Sequence, residues 1–521
     1  MAPFYRNPNC TASPLRLSIV AITMLAISSQ TYNYSPGLAA AATTLIDYKD
    51  ALSKSLLFFE VQRSGKLPDN QRVAWRGDSA LLDGSDQNVD LTGGYYDAGD
   101  NLKFGFPMAF TVAVLSWGAL ENVAGFQSAS ELVNVREAIR WGSDYLLKAS
   151  ADVPTRLWVQ VGDGDADHQC WQSPETMKTP RTAFQINASN PGTEVAAETA
   201  AALAAASLVF KHVDDDYSAV LLTRATMVFE FADKYRASNT GECPFYCSYN
   251  GYDDELLWAA AWLLKASCGA GTSNDYLGYL REAMEQNMIV STVEFSWDNK
   301  HAGAAVLILG MSNLFGGERS TLMKAVKERV DDFVCANLQG NALTQVQKTP
   351  GGLLYLREWA NTQYAAGAAF LATVYADFLL HSKQSSVSCA GTLYSAQDLT
   401  NLAQSQMDYI LGNNPLQLSY MVGFGTAWPT QVHHRGASVP TWYNPAEAVS
   451  CEEGYRLWYH SDDINPNEAV GAVVGGPDQY DAFLDQRSNA AQLEPATYIN
   501  AFCTGVLARL HQLAHAEISS N

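Results

Sequence analysis

The chain has 521 residues, 47% of them hydrophobic, and a formal net charge of -21. That length and apolar content allow a large core and exclude wholesale disorder. The acidic balance excludes nucleic acid and anionic membrane surfaces as partners, because both require basic patches, and leaves a neutral ligand as the simplest fit.

The chain opens on a targeting signal. Arg6 and Arg16 precede an apolar run from Leu17 to Ile27, which suits a signal-peptide core and is short for a membrane span. The small-residue stretch Leu38-Ala39-Ala40-Ala41-Ala42 offers cleavage sites, so residues 1–41 are read as a signal peptide; an uncleaved anchor is the alternative. Residues 42–521 then form one secreted domain, with no Gly/Ser or Pro-rich linker and no C-terminal binding module. Cleavage removes Cys10 of the nine cysteines. The remaining even number permits disulfides, but eight cysteines allow about 105 pairings and none is chosen. Asn187-Ala188-Ser189 is a glycosylation sequon.

Apolar residues recur at three- and four-residue spacing over 43–63, 107–124, 130–150, 193–212, 214–237 and 253–268. The same period runs through 275–290, 300–315, 318–336, 361–381, 395–411 and 496–515. Those segments predict about twelve helices. Some, such as Ala200 to Ala206 and Tyr364 to Phe370, lack a polar face and must be buried on more than one side. Others, such as Lys324 to Asp332, keep a charged face. Two populations of helix predict two concentric layers: an all-α toroid of six hairpins with minor β content. The stretches 64–106, 152–192, 337–360 and 412–495 are too long for simple turns and are the expected carriers of function.

The first of these contains Gly93 to Gly105, "GGYYDAGDNLKFG". Asp97 and Asp100 could converge on one water, as general-base chemistry requires, or could serve an Asx-turn or helix cap. Tyr95, Tyr96, Phe104 and Phe106 supply flat faces of the kind that stack on sugars, or that simply fill a core. The run 163–168, "DGDADH", fails as an EF-hand because His168 stands where glycine is needed. It reads better as a ligand-contacting loop containing His168 and Trp171. "VHHRGAS", Val432 to Ser438, gathers His433, His434 and Arg435 without metal-site spacing, which favours hydrogen bonding to a polar ligand. Glu494 precedes Pro495 at the start of the last helix, where a carboxylate also serves the helix terminus.

Taken together, these motifs make the chain similar to glycoside hydrolase family nine, and most similar to the secreted plant-type endo-β-1,4-glucanases. The carrying segments are "GGYYDAGDNLKFGFPMAFT", "DADHQCWQSPE", "NPGTEVAAETAAALAAAS", "FSWDNKHAGAAVLIL", "VHHRGAS", "VGAVVGGPDQYDAF" and "EPATYINA". The resemblance implies an (α/α)6 barrel that hydrolyses cellulose or a related β-glucan. It assigns Asp100 as general base, Asp97 as its companion on the water, Glu494 as general acid, and catalytic-site places to His433 and Asp485. It places His168, Trp171, Trp297, Arg435 and Tyr498 along the sugar subsites. It implies inversion, with the acid and base carboxyls about 6.5–9.5 Å apart, and a raised affinity of Glu494 for its proton through burial or a neighbour such as Asp485.

No cofactor is required by that chemistry. Some relatives bind calcium near a sequence like "NGYDDE", and Asn250, Gly251, Asp254 and Glu255 offer oxygen ligands here, although they also begin a helix. Ala427 and Ala490 depart from the family pattern without removing a catalytic group. The expected product is a monomeric, extracellular or cell-wall enzyme acting on β-glucan, free of the membrane after signal cleavage. The alternative is a catalytically impaired polysaccharide-binding wall protein on the same scaffold.

Overall fold

A computed structural model describes residues 46–241, 243–268, 273–338, 345–382, 385–441 and 449–520. The signal-peptide reading therefore lies outside the described residues. Among these, twelve helices of nine residues or more succeed one another, and they alternate between half-exposed and buried. The half-exposed members are Tyr48–Val61, Leu132–Ala149, Asp215–Lys234, Ser273–Glu285, Thr321–Asn337 and Ala396–Ile410. The buried members are Gly105–Glu121, Thr193–Phe210, Asp253–Ala266, His301–Leu309, Thr362–His381 and Thr497–Ser520.

Local chemistry starts several of them. Asp47 caps the first helix by accepting from the backbone N–H groups of Lys49 and Asp50. Ser395 and Asp398 form a reciprocal capping box on Ala396–Ile410. The buried set earns its place by composition: Thr193–Phe210 is alanine-rich and His301–Leu309 is apolar apart from His301, so neither offers water a face. Each buried helix packs on the next, and Thr497–Ser520 closes the ring onto Gly105–Glu121. At that closure a Cβ on Gly118 would stand 3.1 Å from the Gly505 Cα, and one on Gly505 would stand 2.6 Å from Phe370. Glycine is needed there because the two backbones touch.

The alternation fixes where function can sit. The connections from an outer to the next inner helix span 62–104, 150–192, 235–252, 286–300, 338–361 and 411–496. All six emerge at the end of the barrel where the inner helices begin. The reverse connections are each shorter than these, from 211–214 up to 382–395. A three-stranded antiparallel sheet of Lys103–Phe104, Arg156–Val161 and Ala183–Asn187 joins two of the long connections. Together with the hairpin Ser386–Cys389 and Thr392–Ser395, it makes up most of the minor β content and lies where no strand is evident from periodicity.

Disulfides Cys170–Cys451, Cys243–Cys247 and Cys335–Cys389 lie within the described residues. The first ties the 164–172 loop to the helical turn at Cys451.

Candidate active site

Three loop segments distant in sequence are stitched into one wall by main-chain bonds. The Arg435 N–H donates to the Gly99 carbonyl at 2.9 Å, and the His433 N–H to the Leu493 carbonyl at 3.1 Å. The Thr497 N–H donates to the Asp97 carbonyl at 3.2 Å. The Gly99 N–H then donates to Glu494 Oε1 at 3.1 Å. A Cβ on Gly99 would lie 2.0 Å from the His433 carbonyl oxygen and 3.1 Å from that carboxyl, so only glycine allows the approach.

Asp97, Asp100 and Glu494 meet along this wall, and all three hold their protons more tightly than ordinary carboxyls. Burial is the main cause for each. Asp97 lies well above the usual range through burial and the neighbouring Asp100, against the Tyr246 hydroxyl that donates to its Oδ2. Its Oδ1 is buried without a partner. Asp100 is pushed up to about 7 by burial and by Asp167, against the opposing pull of His168 and Arg435. Its Oδ1 accepts from the Leu102 N–H at 3.1 Å, and its Oδ2 lies 3.9 Å from His168 Nε2. Glu494 is raised by burial, against the Gly99 N–H and the His168 and Arg435 charges, with Asp167 adding to the rise. Asp97 is raised by Asp100 and both are raised by Glu494, so the protons belong to the cluster rather than to one member.

The histidine pair divides its labour. His433 Nδ1 lies 2.7 Å from the Arg487 carbonyl, which makes it the protonated nitrogen and leaves Nε2 as an acceptor. Burial pulls this ring down to about 4, so it stays neutral. His434 is structural. Its Nδ1 accepts from the Ala437 N–H at 3.0 Å, and its Nε2 bonds Gln62 Oε1 at 2.7 Å. Gln62 in turn donates to the Ala98 carbonyl at 2.6 Å and so supports the aspartate loop from below.

Several expected subsite residues stand one layer back. Trp171 is buried; its indole N–H donates to Ser438 Oγ at 2.8 Å, and its ring meets His433 edge-on at 5.0 Å. Arg435 is buried as well, bonding Asp167 Oδ2 at 2.6 Å, the Asp167 carbonyl at 3.0 Å and the Cys170 carbonyl at 3.0 Å. These two brace the wall because their faces and donors are already taken. Tyr498 is buried against Tyr246. His168, by contrast, is partly exposed and stacked on Phe245 at 4.6 Å, and Trp297 is half-buried edge-on to Tyr246 at 4.8 Å. These two keep open faces.

Two expectations need correction. Asp485 does not adjoin Glu494 as a charged neighbour; its oxygens accept from the Thr430 N–H, the Thr430 hydroxyl and the Gln431 N–H at 2.8–2.9 Å. Asp167 adds to the rise of Glu494, and Glu494 in turn raises Asp97 and Asp100. The calcium set is not assembled either. Asp254 and Glu255 point into the barrel, where Asp254 Oδ2 accepts from the Lys300 N–H at 2.7 Å and Glu255 Oε1 from Lys300 Nζ at 2.8 Å. Asn250 is exposed on the surface loop. Among the described residues, the donor atoms of Asp100, Asp167 and His168 lie within 4.8 Å of one another, but Asp167 is already paired with Arg435.

Tyr246, Asp167, Gln62 and Arg487 were not anticipated. Asp167 lay inside "DGDADH", where alternation suggested metal. The other three carry no sequence signal, since their importance comes only from contacts made across the fold.

The model of "Glycosyl hydrolase family 9" matches residues 48–507. "Endoglucanase 16" of Arabidopsis thaliana is 51% identical over 468 residues, 90% of this chain and 93% of its own. "Endoglucanase 20" of Oryza sativa subsp. japonica is 50% identical over 463 residues, 89% of this chain and 88% of its own. Among solved structures, the endoglucanase of the termite Nasutitermes takasagoensis superposes with a TM-score of 0.78 at 41% identity, covering 90% of this chain and 100% of that one. Endoglucanase CelQ of Clostridium thermocellum, solved with cellotetraose, gives 0.74 at 31% identity over 90% of this chain and 71% of its own. With a family match across nearly all the described residues, an (α/α)6 barrel and this carboxyl cluster, the chain belongs to glycosyl hydrolase family 9.

Proposed function

We infer that the protein cleaves internal β-1,4-glucosidic bonds of cellulose or a related neutral glucan. Asp100 is the general base, activating water with Asp97 beside it, and Glu494 is the general acid that protonates the leaving oxygen. The observation carrying this reading is the Gly99–Glu494 bond, which brings the acid onto the very loop that bears both aspartates. The raised proton affinities alone do not tell acid from base, because Asp100 and Glu494 are both elevated. The division of roles rests on the motif each residue occupies. His433, with Nε2 free to accept, serves a substrate hydroxyl, while His168 and Trp297 offer rings to sugar faces. Inversion is the expected stereochemistry.

No metal enters these steps, since two carboxyls and a water balance the hydrolysis. We also propose a secreted, monomeric enzyme. Disulfides such as Cys170–Cys451 support an oxidising compartment. No feature of the site favours the impaired binding protein, because every group the hydrolysis needs is present.

The deciding experiment measures reducing-sugar release from carboxymethylcellulose by wild type and Glu494→Gln, with the product anomer followed by NMR. Inverted product from wild type and a collapse in the variant are expected. Equal release by both proteins would sink the acid assignment, and a retained anomer would sink inversion.

A further inference from the structure

Arg181 takes no part in the chemistry above, yet it spans two loops that form one side of the catalytic centre. Its Nη1 donates to the Asn101 carbonyl at 2.5 Å, on the residue directly after Asp100. Its own strand-like segment accepts bonds from the other loop: the Gly162 N–H donates to the Thr182 carbonyl at 2.9 Å, and the Asp163 N–H to the Pro180 carbonyl at 3.2 Å. Asp163 then caps the turn Gly164–His168 by accepting from the Ala166 N–H at 2.8 Å. Arg181 thus links the two loops: its side chain holds the loop of Asp100, and the main-chain carbonyls on either side of it hold the loop of Asp167 and His168.

The guanidinium is not free to wander. Nε and Nη2 grip Asp83 Oδ1 and Oδ2, each at 2.9 Å, the bidentate geometry that only arginine provides. Asp83 is wholly buried and also holds Lys103 Nζ at 2.7 Å. Lys103 donates onward to the Leu91 carbonyl at 2.5 Å and the Gly93 carbonyl at 3.2 Å. Burial opposes ionisation of Asp83, but the two cations outweigh it and keep the carboxylate charged. The anchor is therefore rigid, and Arg181 projects from it to a fixed point on the base loop.

We propose that Arg181 is a positioning residue for the hydrolysis: through the Asn101 carbonyl, and anchored by Asp83 and Lys103, it sets the gap between Asp100 and the Asp167–His168 pair. The proposal rests on the reading of Asp100 as the base. Displacement of a reacting group by about 1 Å can cost about 100-fold in rate, so the effect falls on kcat rather than on KM.

The test compares wild type, Arg181→Lys and Arg181→Gln. Folding is checked by thermal melting, kcat and KM are measured on a soluble cello-oligosaccharide, and the Asp100 carboxyl is titrated by carbon NMR. Lysine keeps the charge but cannot hold both Asp83 oxygens and the Asn101 carbonyl at once. We expect both variants to lose about 10- to 100-fold in kcat, with KM within about 3-fold, and the Asp100 midpoint to move toward the ordinary carboxylate range as the gap opens. An Arg181→Lys enzyme with wild-type kcat would overturn the proposal by reducing Arg181 to a through-space charge. Folded variants with unchanged kcat and an unmoved titration would overturn it too. Should Arg181→Gln fail to fold, Arg181→Lys alone decides. The titration needs no turnover, so a wild type without hydrolytic activity would defeat the functional reading while leaving the positioning claim open to measurement.

Discussion

Two clusters of buried carboxyls lie near each other in this barrel and behave as opposites. In the cleft, Asp97, Asp100 and Glu494 face one another with no lysine among them. Deeper in the barrel, Glu198, Asp254 and Glu255 surround Lys300, whose ammonium stands 2.8 Å from Glu255, 3.4 Å from Glu198 and 4.1 Å from the Phe106 ring centroid. Burial holds protons on Asp97, Asp100 and Glu494 in the one and on Glu198 and Glu255 in the other, and both clusters retain unpartnered oxygens. The difference is the resident cation. With Lys300 in place, charge is balanced inside the protein and the cluster is sealed. In the cleft Arg435 is bonded to Asp167 instead, so Asp97, Asp100 and Glu494 share protons, which leaves them able to give and take them at a substrate.

The sharpest way to break this comparison is to neutralise one member of each. Glu494→Gln keeps the oxygen that accepts from Gly99, so folding should be unaffected while kcat falls by about 10²–10⁴-fold, the range for losing a general acid. Asp100→Asn should fall similarly. Reducing-sugar kinetics beside a melting curve separates the two effects. Next in size, Lys300→Met should leave activity impaired only through instability. Removing one partner of a buried charge pair costs about 3–5 kcal/mol, readable from urea unfolding. A Lys300→Met protein of wild-type stability would mean that its carboxyls carry no charge to balance.

Acid–base titration of the fold is a smaller effect and should expose both clusters together. Asp100 and Glu198 are raised to about 7, and Glu255 is held well above the ordinary carboxyl range, each chiefly by burial. The unfolded chain releases these protons near pH 4, about where free carboxyls titrate. Between those limits the folded protein binds more protons, so stability falls as pH rises from about 4 through about 7. Each such group contributes a slope of up to about 1.4 kcal/mol per pH unit. Melting temperatures at pH 5 should therefore exceed those at pH 8, and Glu198→Gln should flatten the trend. A melting temperature that climbs across that window would show the clusters to be ionised already.

The barrel was legible in the sequence because helical periodicity is a local signal that tertiary packing here reinforces. All twelve long helices overlap their expected segments, although the one expected over 300–315 ends at Leu309, and the alanine-rich runs sit in the inner ring as their missing polar face requires. The strand Arg156–Val161 was not legible, since its upstream partner Lys103–Phe104 supplies only two residues and its downstream partner Ala183–Asn187 pairs across a long irregular connection. The catalytic motifs were found, but their order of depth was not. Nothing in "VHHRGAS" says that His434 turns toward Gln62 and His433 toward the Arg487 carbonyl. Nothing in "DGDADH" says that Asp167 pairs with Arg435. Those distinctions come from which surface each loop presents after folding.

Asp485 supplies the finest test of the comparison, because it is a third kind of carboxylate. It is bonded to no cleft carboxyl, and the buried Arg487 guanidinium feels its charge without a direct contact. Its two oxygens take three donors from Thr430 and Gln431, which fixes the chain just before His433. Asp485→Asn keeps one acceptor but turns an amide N–H toward a backbone donor. The loss should be about 1–2 kcal/mol, the scale of leaving a donor unsatisfied. Catalysis should fall only as far as His433 drifts, well short of the Glu494→Gln effect, and the pH–rate profile should keep its midpoints. Thr430→Val, which removes only the hydroxyl bond, should reproduce part of that loss. If Asp485→Asn instead abolished turnover in a folded protein and shifted the profile, Asp485 would belong to the proton-sharing cluster after all.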